Sequence, residues 1–224
     1  MNNVFFEFFL SIKKCNQNLN LAKSINFLFF IFFVCSTNVS YSMDFDEGID
    51  YKVIDTKSKK TNENSLEVIE FFGYFCPHCK SFAPTLNKWE KSLPKNVKFK
   101  KLHVPFRDIN HQRLFFTLKN INAEDKLHSK IFNAIQVKGN PLSNFLEIIS
   151  WVESHGVDET EFEIAWNSNK VKLEMENATK LMKLYKIDGV PQLIVNGTFS
   201  TSPGMVGGSH KRALRVVDYL LDKK

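Results

Sequence analysis

Cysteine is scarce in this chain of 224 residues: there are four, Cys15, Cys35, Cys76 and Cys79. The first two lie in an N-terminal segment with its own character. Lys13, Lys14 and Lys23 precede an apolar run from Ile25 to Cys35. At about eleven residues the run suits the core of a secretory signal peptide and is too short for a bilayer-spanning helix, which needs ~20. The small-x-small pattern Ser40-Tyr41-Ser42 predicts cleavage after Ser42 and a mature chain from Met43. A lipid anchor at Cys35 is disfavoured, because Phe32-Phe33-Val34 offers no small residue before it.

Export leaves Cys76 and Cys79 alone. A structural zinc site needs four ligands, and there is no second Cys pair to complete one. A bridge across two intervening residues closes too short a loop to act as a stabilising staple. A strong charge of one sign is lacking too. Losing Lys13, Lys14, Lys23 and Glu7 takes the formal charge from +6 to +4, and the lysines are scattered, which argues against nucleic-acid binding. Repeats and low-complexity tracts are absent from the mature part.

Hydrophobic periodicity predicts strand, strand, helix, strand, a block of helices, then strand, strand and helix. A short strand falls at Tyr51 to Ile54 and a polar loop at Lys57 to Ser65. A strand buried on both faces follows at Leu66 to Phe72, broken only by Glu67 and Glu70. Cys79, Phe82, Leu86, Trp89 and Leu93 share one face of the next helix, which Pro84 is expected to kink. Val97 to Val104 is the next strand, and Arg107 to Lys186 reads as helical. Asp158 is placed as an N-cap, with Glu161 completing a capping pair. Asn196-Gly197 marks a two-residue hairpin between Gln192–Val195 and Thr198–Thr201. An amphipathic helix from about Ser209 to Leu221 closes the chain.

The pattern that carries chemistry is Cys76-Pro77-His78-Cys79, where a strand runs into a helix. A cysteine at a helix N-terminus meets unpaired N–H groups and the positive dipole end, which favour the thiolate. Such thiols have pKa values of roughly 3.5–7.5, against about 8.5 when free. His78 can add a donor or a positive charge. Stabilising the thiolate stabilises the reduced protein, so the pair should oxidise other thiols. Cys76 is expected to be the exposed, attacked sulfur and Cys79 the buried, resolving one. Glu70 sits in an apolar strand where an unpaired carboxylate is costly; it is either solvated at an edge or a buried acid relaying the proton of Cys79, paired with Lys101 on the next strand.

These residues resemble a known family, the DsbA-type periplasmic disulfide oxidases of the thioredoxin superfamily. The resemblance rests on Val68 to Cys79, Lys101-Leu102-His103-Val104, Ala165-Trp166-Asn167-Ser168, Gly189-Val190-Pro191 and Val195-Asn196-Gly197, and covers roughly Asp46 to the C-terminus. It implies an α/β, thioredoxin-like fold with an inserted helical domain: signal peptide 1–42, thioredoxin-like parts 43–106 and 187–224, helical insertion 107–186. A low-pKa thiol is a known property of this family. By position Cys76 resembles the nucleophile, Cys79 its buried partner in a redox disulfide, and Pro77 and His78 the residues between them, His78 making the pair oxidising. Pro191 looks like a cis-proline facing the disulfide, with the backbone of Val190 pairing with an extended substrate. Glu70 and Lys101 match a buried acid and its nearby lysine. One departure is Gly73, a position often bulkier.

The resemblance implies a monomeric periplasmic enzyme without cofactor or metal. Its substrates would be unfolded or newly exported cysteine-containing proteins, and a quinone-linked inner-membrane oxidase of the DsbB type would reoxidise it. The alternatives are a periplasmic isomerase or reductase, or a peptide-binding chaperone on the same fold. A glutathione-dependent transferase is a further rival, generally built on a single nucleophile.

Overall fold

A computed structural model of the chain describes residues 44–54 and 66–223. The expected signal segment, with Cys15, Cys35 and the cleavage pattern, lies outside the described residues, as does the Lys57–Ser65 loop. Five strands form one mixed sheet in the order β1-β5-β4-β2-β3. They are β1 (Lys52–Val53), β2 (Leu66–Phe72), β3 (Val97–His103), β4 (Gln192–Val195) and β5 (Phe199–Thr201).

Strand β2 is central and fixes the register of both neighbours. It runs parallel to β3, with Glu70 opposite Lys101, and antiparallel to β4, with Val68 opposite Val195 and Phe71 opposite Gln192. Its last five residues, Val68 to Phe72, are all buried, as its apolar composition predicts. The β4–β5 turn falls at Asn196 and Gly197 as expected, with φ of 51° and 63°, but Val195 pairs with Phe199, so Thr198 joins the connection and β5 starts one residue later than the expected two-residue hairpin would have it. Asn196 also bonds to Glu67, its side chain accepting from the Glu67 N–H at 3.0 Å and its N–H donating to the Glu67 carbonyl at 2.8 Å.

Helix α1 (Pro77–Glu90) follows β2 directly. Cys79, Phe82, Leu86 and Trp89 are buried along it as the periodicity predicts, whereas Leu93 falls beyond its end. The helix continues through Pro84, which is exposed, so the lost donor sits on the solvent side. With α7 (His210–Asp222), α1 covers one sheet face around Val68, Leu193 and Val195, and the Trp89 indole N–H donates to Asp218 at 2.7 Å.

Between β3 and β4 come five helices: α2 (Ile109–Asn120), α3 (Glu124–Gln136), α4 (Phe145–Glu153), α5 (Glu159–Trp166) and α6 (Asn169–Leu184). They share a second core with Ile69, Phe71, Leu102 and Ile194 of the sheet. Asp158 caps α5, accepting from the Glu161 N–H at 2.7 Å. Among the described residues no helix is long and apolar enough to cross a membrane.

Candidate active site

The two cysteines sit where β2 gives way to α1. Cys76 is the N-cap, in extended conformation, and its sulfur accepts from the Cys79 N–H at 3.4 Å. Pro77 occupies the first helical position, where a missing N–H costs nothing. Both thiols are free. Facing them is the loop before β4, where the Val190–Pro191 peptide bond is cis. The Cys76 thiol donates to the Val190 carbonyl at 3.2 Å. The structure therefore brings Cys76, Cys79, Val190 and Pro191 together across 115 residues of chain.

One expectation needs correcting. Cys76 is not openly exposed: 6 % of it is accessible, against 1 % for Cys79. Val190 crosses over its sulfur, and the Gln136 amide at the end of α3 donates to the carbonyls of Tyr74 (2.7 Å) and Cys76 (3.1 Å). Exposure belongs instead to Pro77 and His78.

The two sulfurs differ in their electrostatics. The Cys76 thiol is lowered to about 6, first by its hydrogen bond with the Cys79 side chain and then, against partial burial, by the backbone N–H groups of Cys79 and His78 and the charge of His78. Burial pushes the Cys79 thiol far up, and its hydrogen bond with Cys76 and the charge on Cys76 add to this. Such a pair can hold one thiolate and one thiol at neutral pH.

Beneath Cys79 lies a group of buried charges. Glu70 is 3 % exposed, and burial raises its carboxyl to about 8 despite the opposing charge of Lys101. Lys101 stands beside Glu70 in register, yet its ammonium does not pair with it. It lies 3.1 Å from Glu90 of α1 and 3.9 Å from Glu124 of α3. The solvated-edge alternative for Glu70 is thus excluded, and the expected Glu70–Lys101 ion pair is replaced by a lysine held by two other carboxylates. Glu124 is itself raised by burial, and lies 3.4 Å from His128.

Further residues that sequence reasoning did not assign hold the loop from behind. The Tyr74 N–H donates to His103 Nε2 at 2.9 Å, so Nδ1 carries the proton and donates to the Val104 carbonyl at 2.7 Å. Burial drops His103 to about 3, which keeps the ring neutral in this role. The Tyr74 hydroxyl lies 3.1 Å from Nδ1 of His128, which burial likewise drops to about 3. His103 lay within a recognisable motif; His128 and Gln136 carry no local signal, because their partners lie 54 to 62 residues away. Gly73 has a packing reason: a Cβ there would run into the Phe75 ring.

Comparison with known proteins agrees with this geometry. Residues 109–213 match the family model of the DSBA-like thioredoxin domain, and 53–113 match that of thioredoxin. The Thiol:disulfide interchange protein DsbA of Azotobacter vinelandii is 36 % identical over 183 residues, covering 81 % of this chain and 85 % of that protein. The protein of the same name from Pseudomonas aeruginosa is 33 % identical, with 81 % and 86 % covered. A crystal structure of P. aeruginosa DsbA superposes with a TM-score of 0.76, at 33 % identity, covering 81 % of this chain and 95 % of that one. The oxidoreductase NmDsbA1 from N. meningitidis gives 0.70 at 26 % identity, with 80 % and 93 % covered. With its paired sulfurs at a helix start and its similarity running along four-fifths of its length, the chain belongs to the DsbA family of thiol:disulfide oxidoreductases, within the thioredoxin-like fold.

Proposed function

We propose that the protein oxidises thiol pairs in newly exported proteins, with Cys76 as the sulfur that substrates attack and Cys79 as the one that leaves. The observation that carries this reading is the opposite stabilisation of two sulfurs three residues apart, Cys76 as anion and Cys79 as neutral thiol. In the oxidised enzyme a substrate thiolate attacks Cys76 Sγ, and the Cys76–Cys79 bond breaks. Cys79 leaves with the electron pair and takes up a proton. A second substrate thiolate then attacks the substrate's own sulfur in the mixed disulfide, and Cys76 leaves as a stabilised thiolate. Two electrons and one proton pass to the enzyme, and the second proton goes to solvent.

Glu70 is assigned as the acid that serves Cys79, being buried, coupled to it by charge and protonated up to about pH 8. Lys101 acts through Glu70 and is a positioning residue. His78 and Pro77 tune and start the helix; Val190 and Pro191 form the wall along which an extended substrate pairs. Residues 43–106 and 187–224 are assigned to the thioredoxin-like part and 107–186 to a helical insertion. The N-terminal segment to Ser42 is assigned as the export signal, placing a monomeric enzyme in the periplasm. Reoxidation of the dithiol requires an electron acceptor, assigned to a quinone-linked membrane oxidase of the DsbB type.

The test is a titration of thiolate absorbance in the reduced enzyme together with the equilibrium constant against glutathione. A midpoint near 6 and a readily reduced disulfide are expected. A midpoint near 8.5 with a strongly reducing equilibrium would sink the oxidase reading. Changing Cys79→Ala should trap mixed disulfides on Cys76; trapping through Cys79 in a Cys76→Ala protein instead would reverse the assigned order.

A further inference from the structure

We infer that Arg107 is a specificity-determining residue for the exchange, favouring substrate segments that carry an acidic residue next to the reacting cysteine. The inference rests on the oxidase reading above and adds the substrate chemistry.

Arg107 lies between β3 and α2 and is exposed, with φ of 63°, a region where a side chain is strained and glycine is not. Four other non-glycine residues share such a φ, and each has a local reason. Asn122 and Asn196 are of the type that tolerates it. Lys186 follows the C-cap of α6, where this conformation ends helices, and Leu142 is fully buried in the core. Arg107 has none of these reasons. What its conformation achieves is placement: the guanidinium centre lies 5.6 Å from the centroid of the Phe75 ring, in cation–π range.

Phe75 directly precedes Cys76, is partly exposed, and is seated over Gly73. The platform under the guanidinium is therefore part of the active-site loop. No carboxylate within the described residues pairs with Arg107. The adjacent Asp108 is occupied, capping α2 through the Asn110 N–H at 2.8 Å and standing 4.0 Å from His111. A planar cation held on the aromatic ring of the residue that precedes Cys76, with its donors unspent, is matched by a carboxylate, which a guanidinium binds through two parallel hydrogen bonds.

The test uses two reduced two-cysteine peptides that differ only in Glu or Lys at positions flanking the first cysteine, oxidised by the full-length enzyme at low ionic strength. The wild type should oxidise the Glu peptide about fivefold faster, the size expected of a rim charge. Arg107→Gln should bring the ratio to about one, Arg107→Lys should retain part of it, and Arg107→Glu should invert it. An equal rate for both peptides in the wild type, or a ratio unmoved in Arg107→Gln, overturns the inference and leaves the oxidase reading standing. Oxidation of neither peptide overturns both. Should Arg107→Gln fail to fold, a salt series on the wild type decides: the ratio must approach one as the screening length falls below ~10 Å, and a salt-independent ratio overturns the inference.

Discussion

The first turn of α1 and the buried patch beneath it face the same problem, an ionisable group removed from water, and resolve it in opposite ways. At Cys76 the sulfur is met first by the Cys79 thiol and then by the backbone N–H groups of Cys79 and His78, and the anion is favoured. At Glu70 the nearest cation is already claimed by Glu90 and Glu124, and burial wins, so the neutral acid is favoured. A neighbouring thiol and a few N–H groups held within one helical turn thus do more for an anion than a full charge on the neighbouring strand. The reason is that these local donors are fixed on the sulfur, whereas a lysine ammonium goes to whichever carboxylate it reaches best.

The sharpest way to break this comparison is to remove its first member. Cys76→Ala should lower the exchange rate by about three orders of magnitude or more, read by insulin reduction or peptide oxidation, since no other described sulfur is poised as a thiolate. Next comes Glu70→Gln. The folded carboxyl holds its proton to about pH 8, whereas in the unfolded chain it releases it near the ordinary carboxylate value of 4.5. Between those values the folded state binds more protons, so stability falls as pH rises. The glutamine variant should escape that fall and be more stable by about 3 kcal/mol at pH 7, at about 1.4 kcal/mol per pH unit, as measured by denaturant unfolding. Its exchange rate should also lose any inflection near pH 8.

A smaller change tests the sharing of the lysine. Glu124→Gln removes one competitor for Lys101 and one repelling charge, so the Glu70 midpoint should move down by about one pH unit, followed by carboxyl-sensitive NMR or infrared difference spectra. A midpoint that stays near 8 would show that Lys101 is not what Glu70 lacks. For Cys76 the sign is reversed. Its folded pKa is depressed from 9.0 to about 6, so the reduced protein gains stability that is complete above pH 9 and lost as pH falls through 6. The reduced form should exceed the oxidised form by about 1 kcal/mol more at pH 7 than at pH 5, after allowance for screening at a sulfur close to the surface. The smallest effect lies far from both. Asp158→Ala should cost about 1 kcal/mol of stability by uncapping α5, and leave the exchange rate unchanged.

What was legible in the sequence follows from the range of the interactions concerned. Strand β2, the inward face of α1, the Asp158 cap and the Asn196-Gly197 turn depend on residues within one or two turns of each other, and they stand where periodicity put them. The depressed Cys76 thiol was legible for the same reason, as a helix start announces its own dipoles. The burial of Cys76 was not, because Val190 and Gln136 that cover it are 114 and 60 residues away. Nor was the loyalty of Lys101: register brings it to Glu70, but only the packing of α1 and α3 offers it Glu90 and Glu124. The neutral pair His103 and His128 behind Tyr74 belongs to the same class.

The two hydrogen bonds between Asn196 and Glu67 look like a minor turn detail, but they set a mechanical tolerance. Because β4 is pinned to β2 at its far end, the near end of β4 has no freedom to slide, and the carbonyl at position 190 arrives over the Cys76 sulfur at a height fixed by counting residues rather than by local fit. A deletion of one residue anywhere between Pro191 and Asn196 would therefore act like a mis-cut spacer. It would leave every catalytic side chain in place and shut or gape the slot through which substrate reaches it.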